Sequence, residues 1–449
     1  MEFEKTSFFD EYTRITTGGN AEPVYQWRAV IKANDKEVQT FKVVDMDVIR
    51  DYVNNYADVT MLHVMMLAGD YVADVYPYRD NLELVLYKMP LEALYTGATN
   101  TTSQPVLMIY KAVLKSTIDI KAQATAGKPF DQDAMNLTPP ILIEFDLVRK
   151  PIMQMRMITC GQIYRNIVPA DAVASILTMA SKAIKGSEDE IVYGLSMVEP
   201  NNTTVTEHVA IPQGTPLIDV PGYIQKNCNG IYTNGIGFYV QGNFWHVYAP
   251  FDVTRFKTVQ KTITLVRIPE NRFDGIDRTW SLNGDNLTIL ASGGFSKNDN
   301  TTVQKLDEGT GCMYADASKF MGDFVQVNGN KAVVSRKENN NEFTTEQRDD
   351  GFTMARRSAN RITSNACVEQ SMLAVRNGSI MTVVWNHSSP ELIEPCMPVR
   401  VIILDGDEPL EIDGVVVMSD TQYHLHGIGA SAIRHSSVTV LHIFYKPTA

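Results

Sequence analysis

Alternation with a period of two limits this chain's fold more than any other feature. Between Asn81 and Leu91, Leu82, Leu84 and Leu86 fall on one face and Glu83, Val85 and Tyr87 on the other. That is the pattern of a strand with one buried side. Val24 to Lys32, Val38 to Val44, Val106 to Ala122 and Ile141 to Val148 are rich in β-branched and aromatic residues. So are Leu287 to Ala291, Met381 to Trp385, Val399 to Leu404, Gly414 to Met418 and Ser437 to Tyr445. Met61 to Leu67 is apolar on both faces apart from His63, which predicts a strand covered on both sides. Turn residues separate these runs, as at Pro395 to Pro398 and Asp405 to Asp407. Short strands in this number have to close into barrels or stack, because an open edge invites aggregation.

Helical spacing is rarer. It predicts a helix from Met46 to Tyr56, with Val48, Ile49, Tyr52, Val53 and Tyr56 inward, Arg50, Asp51, Asn54 and Asn55 outward, and Asp45 or Asp47 as cap. A second helix runs from Ala170 to Lys185, entered by Pro169 and stopped by Gly186. A third starts near Val220 and ends at Asn229-Gly230. Met153 to Tyr164 reads as a strand pair, and Ile236 to Val240 with Phe244 to Tyr248 as a hairpin. Residues 271–350 are rich in Asn, Asp, Gly and Thr, with a short strand from Phe324 to Val327. The fold class that follows is mainly β (β+α) and multi-domain, since 449 residues suit two to four domains.

The chain is 44% hydrophobic with a formal net charge of −12. Such a balance argues against gripping nucleic acid by neutralising phosphates. The start has no signal-peptide pattern and no segment is long and apolar enough to span a membrane as a helix. Cys160, Cys228, Cys312, Cys367 and Cys396 are odd in number and far apart, as expected of reduced thiols.

No phosphate loop, HExxH, CxxC or GxSxG motif occurs. Gly427 to Ala432 fits a loose dinucleotide pattern but precedes a strand, where the chemistry needs a helix. His424 and His426 share a face at strand spacing. They could hold zinc or simply stand on an exposed strand of a long hairpin. Asp405, Asp407, Glu408, Glu411 and Asp413 suggest calcium but miss the EF-hand spacing. Arg356, Arg357, Arg361 and Arg376 form a local basic cluster. Trp27, Trp245, Trp280 and Trp385 read as core anchors rather than sugar platforms. Nothing selects a pair of catalytic carboxylates. The expectation is a structural protein, with no enzyme activity, cofactor or metal.

Three blocks, Val43 to Pro90, Val209 to Phe256 and Ala355 to Asp405, resemble in order the baseplate hub proteins of contractile-tailed phages, relatives of the hub part of type VI secretion spikes. The resemblance implies two tail-tube-like β-barrel domains plus accessory domains. With the composition, which sets 271–350 apart as a loop-heavy insert, it divides the chain into a first barrel at 1–125, an α+β region contributing to a second tube-like domain at 126–270 and a C-terminal barrel region at 351–449. It implies a homotrimer whose six barrels join a hexameric tail tube to a trimeric spike, with other baseplate proteins around it and DNA only in transit. The location would be the virion tail, after synthesis in the bacterial cytoplasm. In the turn after Gly69, Tyr76, Tyr78, Arg79, Asp80 and Glu83 become candidate assembly contacts. The rival readings are another tube-end or adaptor protein, or a carbohydrate-binding or glycan-cleaving virion protein.

Overall fold

The computed structural model describes Tyr12, Thr13 and Ile15, residues 25–90 except Asp35, and residues 106–115, 140–184, 194–268, 279–292, 378–405, 408–426 and 434–446. Between 312 and 356 it describes only the backbone of β16 to β20, introduced below.

The first unit contains β1 (Tyr25–Ala33), β2 (Lys36–Gln39), β3 (Lys42–Asp51), β4 (Val59–Leu67), β5 (Leu82–Pro90), β6 (Val106–Leu114) and β7 (Pro140–Arg149). An α+β unit follows. Its helices are α1 (Lys150–Met157), α2 (Pro169–Ser181) and α3 (Val220–Asn227). Its strands are β8 (Thr159–Ile167), β9 (Gly194–Met197), β10 (Thr206–Pro216), β11 (Gly237–Gln241) and β12 (Phe244–Tyr248). Then come β13 (Thr262–Arg267), β14 (Trp280–Asn283) and β15 (Asn286–Ala291). Strands β16 (Cys312–Met313), β17 (Val327–Asn328), β18 (Lys331–Glu338), β19 (Asn341–Arg348) and β20 (Gly351–Arg356) pair among themselves. The chain ends with β21 (Ser379–Asn386), β22 (Pro398–Asp405), β23 (Glu408–His426) and β24 (Arg434–Tyr445).

Two barrels emerge from the pairing. In the first, β1–β5–β6–β7–β4–β3–β23–β24 form a continuous order, and β24 returns to β1 at Tyr25↔His435. His435 seals that seam. The Trp27 N–H donates to its Nδ1 at 3.2 Å, so Nε2 carries the proton and donates to the Val43 carbonyl at 3.0 Å. In the second barrel, β15–β13–β22–β23–β24–β21 run in order. The Ser292↔Val384 bridge closes it. The long hairpin β23–β24 belongs to both. Gly414 to Val416 pairs with Ile443 to Tyr445 in the second barrel, and Met418 to His426 with Arg434 to His442 in the first. A register shift between Val416 and Met418 marks the handover. This is the expected mainly-β, multi-domain fold with few helices.

Each unit has its own apolar core. Leu62, Val64, Leu84, Leu86 and Phe145 fill the first barrel. Ile263, Leu265, Trp385, Val401 and Leu441 fill the second. Val173, Ile176, Leu177, Ile224 and Trp245 centre the α+β unit. Trp27, Trp245 and Trp385 are buried and Trp280 is half-buried, as core anchors should be. Cys228 and Cys396 are buried free thiols and Cys160 is half-buried.

Several local expectations change. Met46 to Tyr56 is not a helix. Lys42–Asp51 is strand β3, hydrogen-bonded to β4 on one side and β23 on the other. Its apolar residues fit both periods, and pairing with two neighbours decides for the strand. Val48 and Tyr52 are still buried, but Arg50 is drawn inward too. Asp51 caps the following turn, accepting from the Val53 and Asn54 amides at 2.9 Å each. Strand β4 is covered on one side only. Thr60, Leu62, Val64 and Met66 are buried while Met61, His63 and Met65 are half-exposed. Met153 to Tyr164 is not a strand pair but the end of α1, which has Pro in its first turn, followed by β8. The stretch after Gly69 is not a hairpin turn. Ala68–Asn81 is a run of helical turns. It has to cross the barrel end, because β4 lies between β3 and β7 whereas β5 lies between β1 and β6. Helices α2 and α3 and the hairpin β11–β12 stand where expected. Gly427 to Ala432 and Phe324 to Gln326 lie outside the described residues.

A shared hairpin makes the two barrels one cooperative unit. Leu84→Ala, in the first barrel, should cost about 2–5 kcal/mol. It should lower a single urea transition seen equally by near-UV circular dichroism and tryptophan fluorescence. Two separate transitions would contradict the coupling.

Candidate channel and assembly surfaces

The outward face of the first barrel carries charge in rows across strands. The strand period turns Val43, Met46 and Val48 into the core and leaves Asp45 and Asp47 outside, around a bulge between Val43 and Asp45. In one row Lys115, Glu144, His63, Asp45 and His424 lie side by side on the β6 end, β7, β4, β3 and β23. In the next, Asp146, Met61, Asp47 and Gln422 stand opposite one another. Asp420 follows two residues along β23, with Val440 opposite it on β24 and His442 diagonal to it.

The first row is largely compensated. Lys115 Nζ bonds Glu144, His63 Nδ1 meets Asp45, and His63 Nε2 lies 3.7 Å from Glu144. The bond from Lys115 holds the Glu144 carboxyl below its usual range. The second row lacks such partners among the described residues. Partial burial and the neighbouring Asp45 push the Asp47 carboxyl up, against a smaller opposing pull from His424 and His63. Burial and Asp47 push Asp420 up in turn. Burial pulls the His442 imidazole down, which leaves it less able to neutralise Asp420. The fold therefore gathers like charges on this face, with Asp45 and Asp47 two apart on β3 and Asp420 diagonal to Asp47 on β23.

The candidate assembly residues sit at one end of the same barrel. Tyr76 and Tyr78 are 45% and 43% exposed, and Arg79 and Asp80 are exposed. The Arg79 guanidinium lies 4.8 Å from the Tyr76 ring centre, and Tyr71 packs on Tyr76 at 5.8 Å. The Asp80 carbonyl accepts from Lys111 Nζ at 3.0 Å. Glu83 stands apart from them in β5 and pairs with Lys150 at 3.0 Å. The turn thus presents two tyrosines and two charges together, while Glu83 links β5 to α1.

Other sequence candidates separate. His424 is an exposed member of the charged face, and His426 ends β23. Among the described residues no group of His, Cys, Asp and Glu is arranged to hold a metal. Asp413 and Glu411 form ion pairs with Arg400 at 2.7 and 3.1 Å, so these acids face a guanidinium rather than an empty cavity. Arg357, Arg361 and Arg376 lie outside the described residues, and of Arg356 only the strand backbone is described. Sequence reasoning passed over Asp45, Asp47, Glu144, Asp146 and Asp420 as a group. The available signal was the polar residue recurring inside each apolar strand, above all His63 in Met61–Leu67.

No family model and no curated protein sequence matches the chain. Among solved structures it is similar to the tail protein from Neisseria meningitidis MC58, at 9% identity over 93% of this chain and 96% of that one, TM-score 0.39. It is similar to the 43 kDa tail protein of prophage MuSo2 from Shewanella oneidensis, at 9% identity over 93% and 98%, TM-score 0.43. It is also similar to the E. coli c3393 protein, at 8% identity over 93% and 77%, TM-score 0.40. That protein is described as a component of the type VI secretion system with structural similarity to T4 bacteriophage tail proteins. The first two are tail proteins and the third is a type VI secretion component. No helix among the described residues is long and apolar enough to cross a membrane.

The raised Asp47 carboxyl sets the sign of one test. Its charged form is disfavoured in the folded chain, so stability falls as pH rises from the ordinary value of 3.8 through the raised one. Asp47→Asn should raise stability at pH 7 by about 0.5 kcal/mol, the scale of one screened cross-strand pair. The gain should vanish near pH 3, where the aspartic acid is protonated. Denaturant midpoints at the two pH values measure it.

Proposed function

We propose that this chain is a structural tail protein of a virion and serves as its central baseplate hub. The observation that carries this reading is the pair of closed barrels built from one chain and joined through one hairpin. Three such chains present six barrels toward a sixfold tube and keep threefold symmetry toward a spike, so one ring adapts the two. A closed cyclic arrangement also leaves no exposed strand edge for further growth.

In this reading the acidic face of the first barrel lines the central path. DNA passing it meets Asp47, Asp146 and Asp420, while Lys115 is held by Glu144, and slides without being retained. The exposed turn of Tyr76, Tyr78, Arg79 and Asp80 is the rim toward a neighbouring subunit, while Glu83 is held by Lys150. Its partners are two further copies of the chain, the tail tube protein, the spike and other baseplate proteins. The chain acts mechanically, not as an enzyme, in the tail of a virion assembled in a bacterial host.

Mass measurement in solution tests the assembly. The expected species is a trimer of the 50.1 kDa chain, seen by negative-stain microscopy as a ring with a central hole. A strict monomer at micromolar concentration would end the hub reading. Arg79→Ala and Asp80→Ala touch only exposed side chains, so they should leave monomer unfolding within about 0.5 kcal/mol of wild type. They should shift the trimer toward monomer in analytical ultracentrifugation. Equal loss of monomer stability would remove the turn from the interface.

A further inference from the structure

Three units meet on one nearly buried cation at the end of β3. The Arg50 side chain is 11% exposed. Its Nη1 donates to the Pro390 carbonyl at 2.8 Å, and its Nε lies 3.4 Å from Asp58 Oδ2. The other Asp58 oxygen accepts from the Tyr239 hydroxyl at 2.7 Å. Arg50 belongs to the first barrel, Pro390 to the β21–β22 connection of the second, and Tyr239 to hairpin β11–β12 of the α+β unit.

Neutral contacts cross the same boundaries. The Tyr52 N–H donates to the Val417 carbonyl at 3.0 Å, and the Val240 N–H to the Tyr56 carbonyl at 2.8 Å. The Tyr52 and Tyr239 rings meet edge to face at 5.0 Å. A partly desolvated ion pair adds little net stability, because removing both charges from water offsets their attraction. What this pair supplies is geometry. The Arg50 guanidinium bonds the Pro390 carbonyl while it faces the Asp58 carboxylate, and both contacts persist only when the units hold one mutual angle.

We propose that Arg50 and Asp58 form an orientational latch, holding the α+β unit at a fixed angle to the barrel pair rather than stabilising any one unit. This goes beyond the hub reading and does not depend on it. The latch acts in the single chain, whatever that chain assembles into.

Hydrogen exchange on the full chain, kept dilute, tests it. The double variant Arg50→Met with Asp58→Asn removes both charges and leaves an acceptor for Tyr239. Its Tyr52 and Val240 amides should exchange at least about 10-fold faster, while Leu62 in β4 and Leu177 in α2 stay unchanged. Unchanged exchange at Tyr52 and Val240 would overturn the latch. A uniform acceleration at all four amides would also overturn it, since that is general destabilisation. Arg50→Lys keeps the charge but not the planar fork, and serves if the double variant does not fold. The same local acceleration is expected of it, and wild-type exchange at Tyr52 and Val240 would refute the latch.

Discussion

The rest of the structure depends on a single hydrogen-bonded ladder, the hairpin β23–β24. Its nineteen- and twelve-residue strands are longer than either barrel needs. One end completes the first barrel against β3 and β1, and the other completes the second against β22 and β21. Extended backbone must satisfy its amides and carbonyls, and here both barrels supply partners along one continuous run. The register shift near Val417 lets the strand turn from one barrel into the next without breaking the ladder. Neither barrel closes without it, so their relative placement follows from covalent and hydrogen-bond geometry, not from a soft interface.

That placement determines what the outer surfaces can do. Where β23 runs beside β3, Asp420, Gln422 and His424 come into the same sheet face as Asp45 and Asp47. Residues more than 370 positions apart in sequence thereby form one acidic surface. The acids of the hairpin's other end, Glu411 and Asp413, meet Arg400 and lose their repulsion. The two barrels therefore show unlike faces. Near the handover, the end of β3 ties both barrels to the α+β unit through Arg50, Tyr52 and Asp58.

Local pattern made some of this legible and misread other parts. Leu82, Leu84 and Leu86 alternate cleanly, and they line a barrel core as alternation requires. Pro169, at the start of α2, and Pro221, within the first turn of α3, mark real helix starts because proline suits a first turn. Val48, Ile49, Tyr52 and Tyr56 misled, because a short apolar run can satisfy both the helical and the strand period. The two ladders flanking β3 come from β4 and from a strand near the far end of the chain, and nothing local announces them. The turn after Gly69 misled for a related reason. A two-strand hairpin and a crossover look alike until the neighbours of β4 and β5 are known. The candidate surface was half visible: Tyr76 to Asp80 stood out by composition, whereas the acidic rows are made only by cross-strand register.

By itself the sequence determined the mainly-β character, the acidic balance of the chain, the burial of Trp27, Trp245 and Trp385 and the positions of most strands. Each of these follows from side-chain polarity and backbone preference over a few residues. Only the tertiary structure decided which strands close together, that one hairpin serves two barrels, and that His435 seals a seam where zinc had seemed conceivable for its neighbours. It also decided which carboxylates find a cation and which are left to repel one another. Those outcomes depend on partners hundreds of residues away, and closure of a sheet is a property of all its ladders at once.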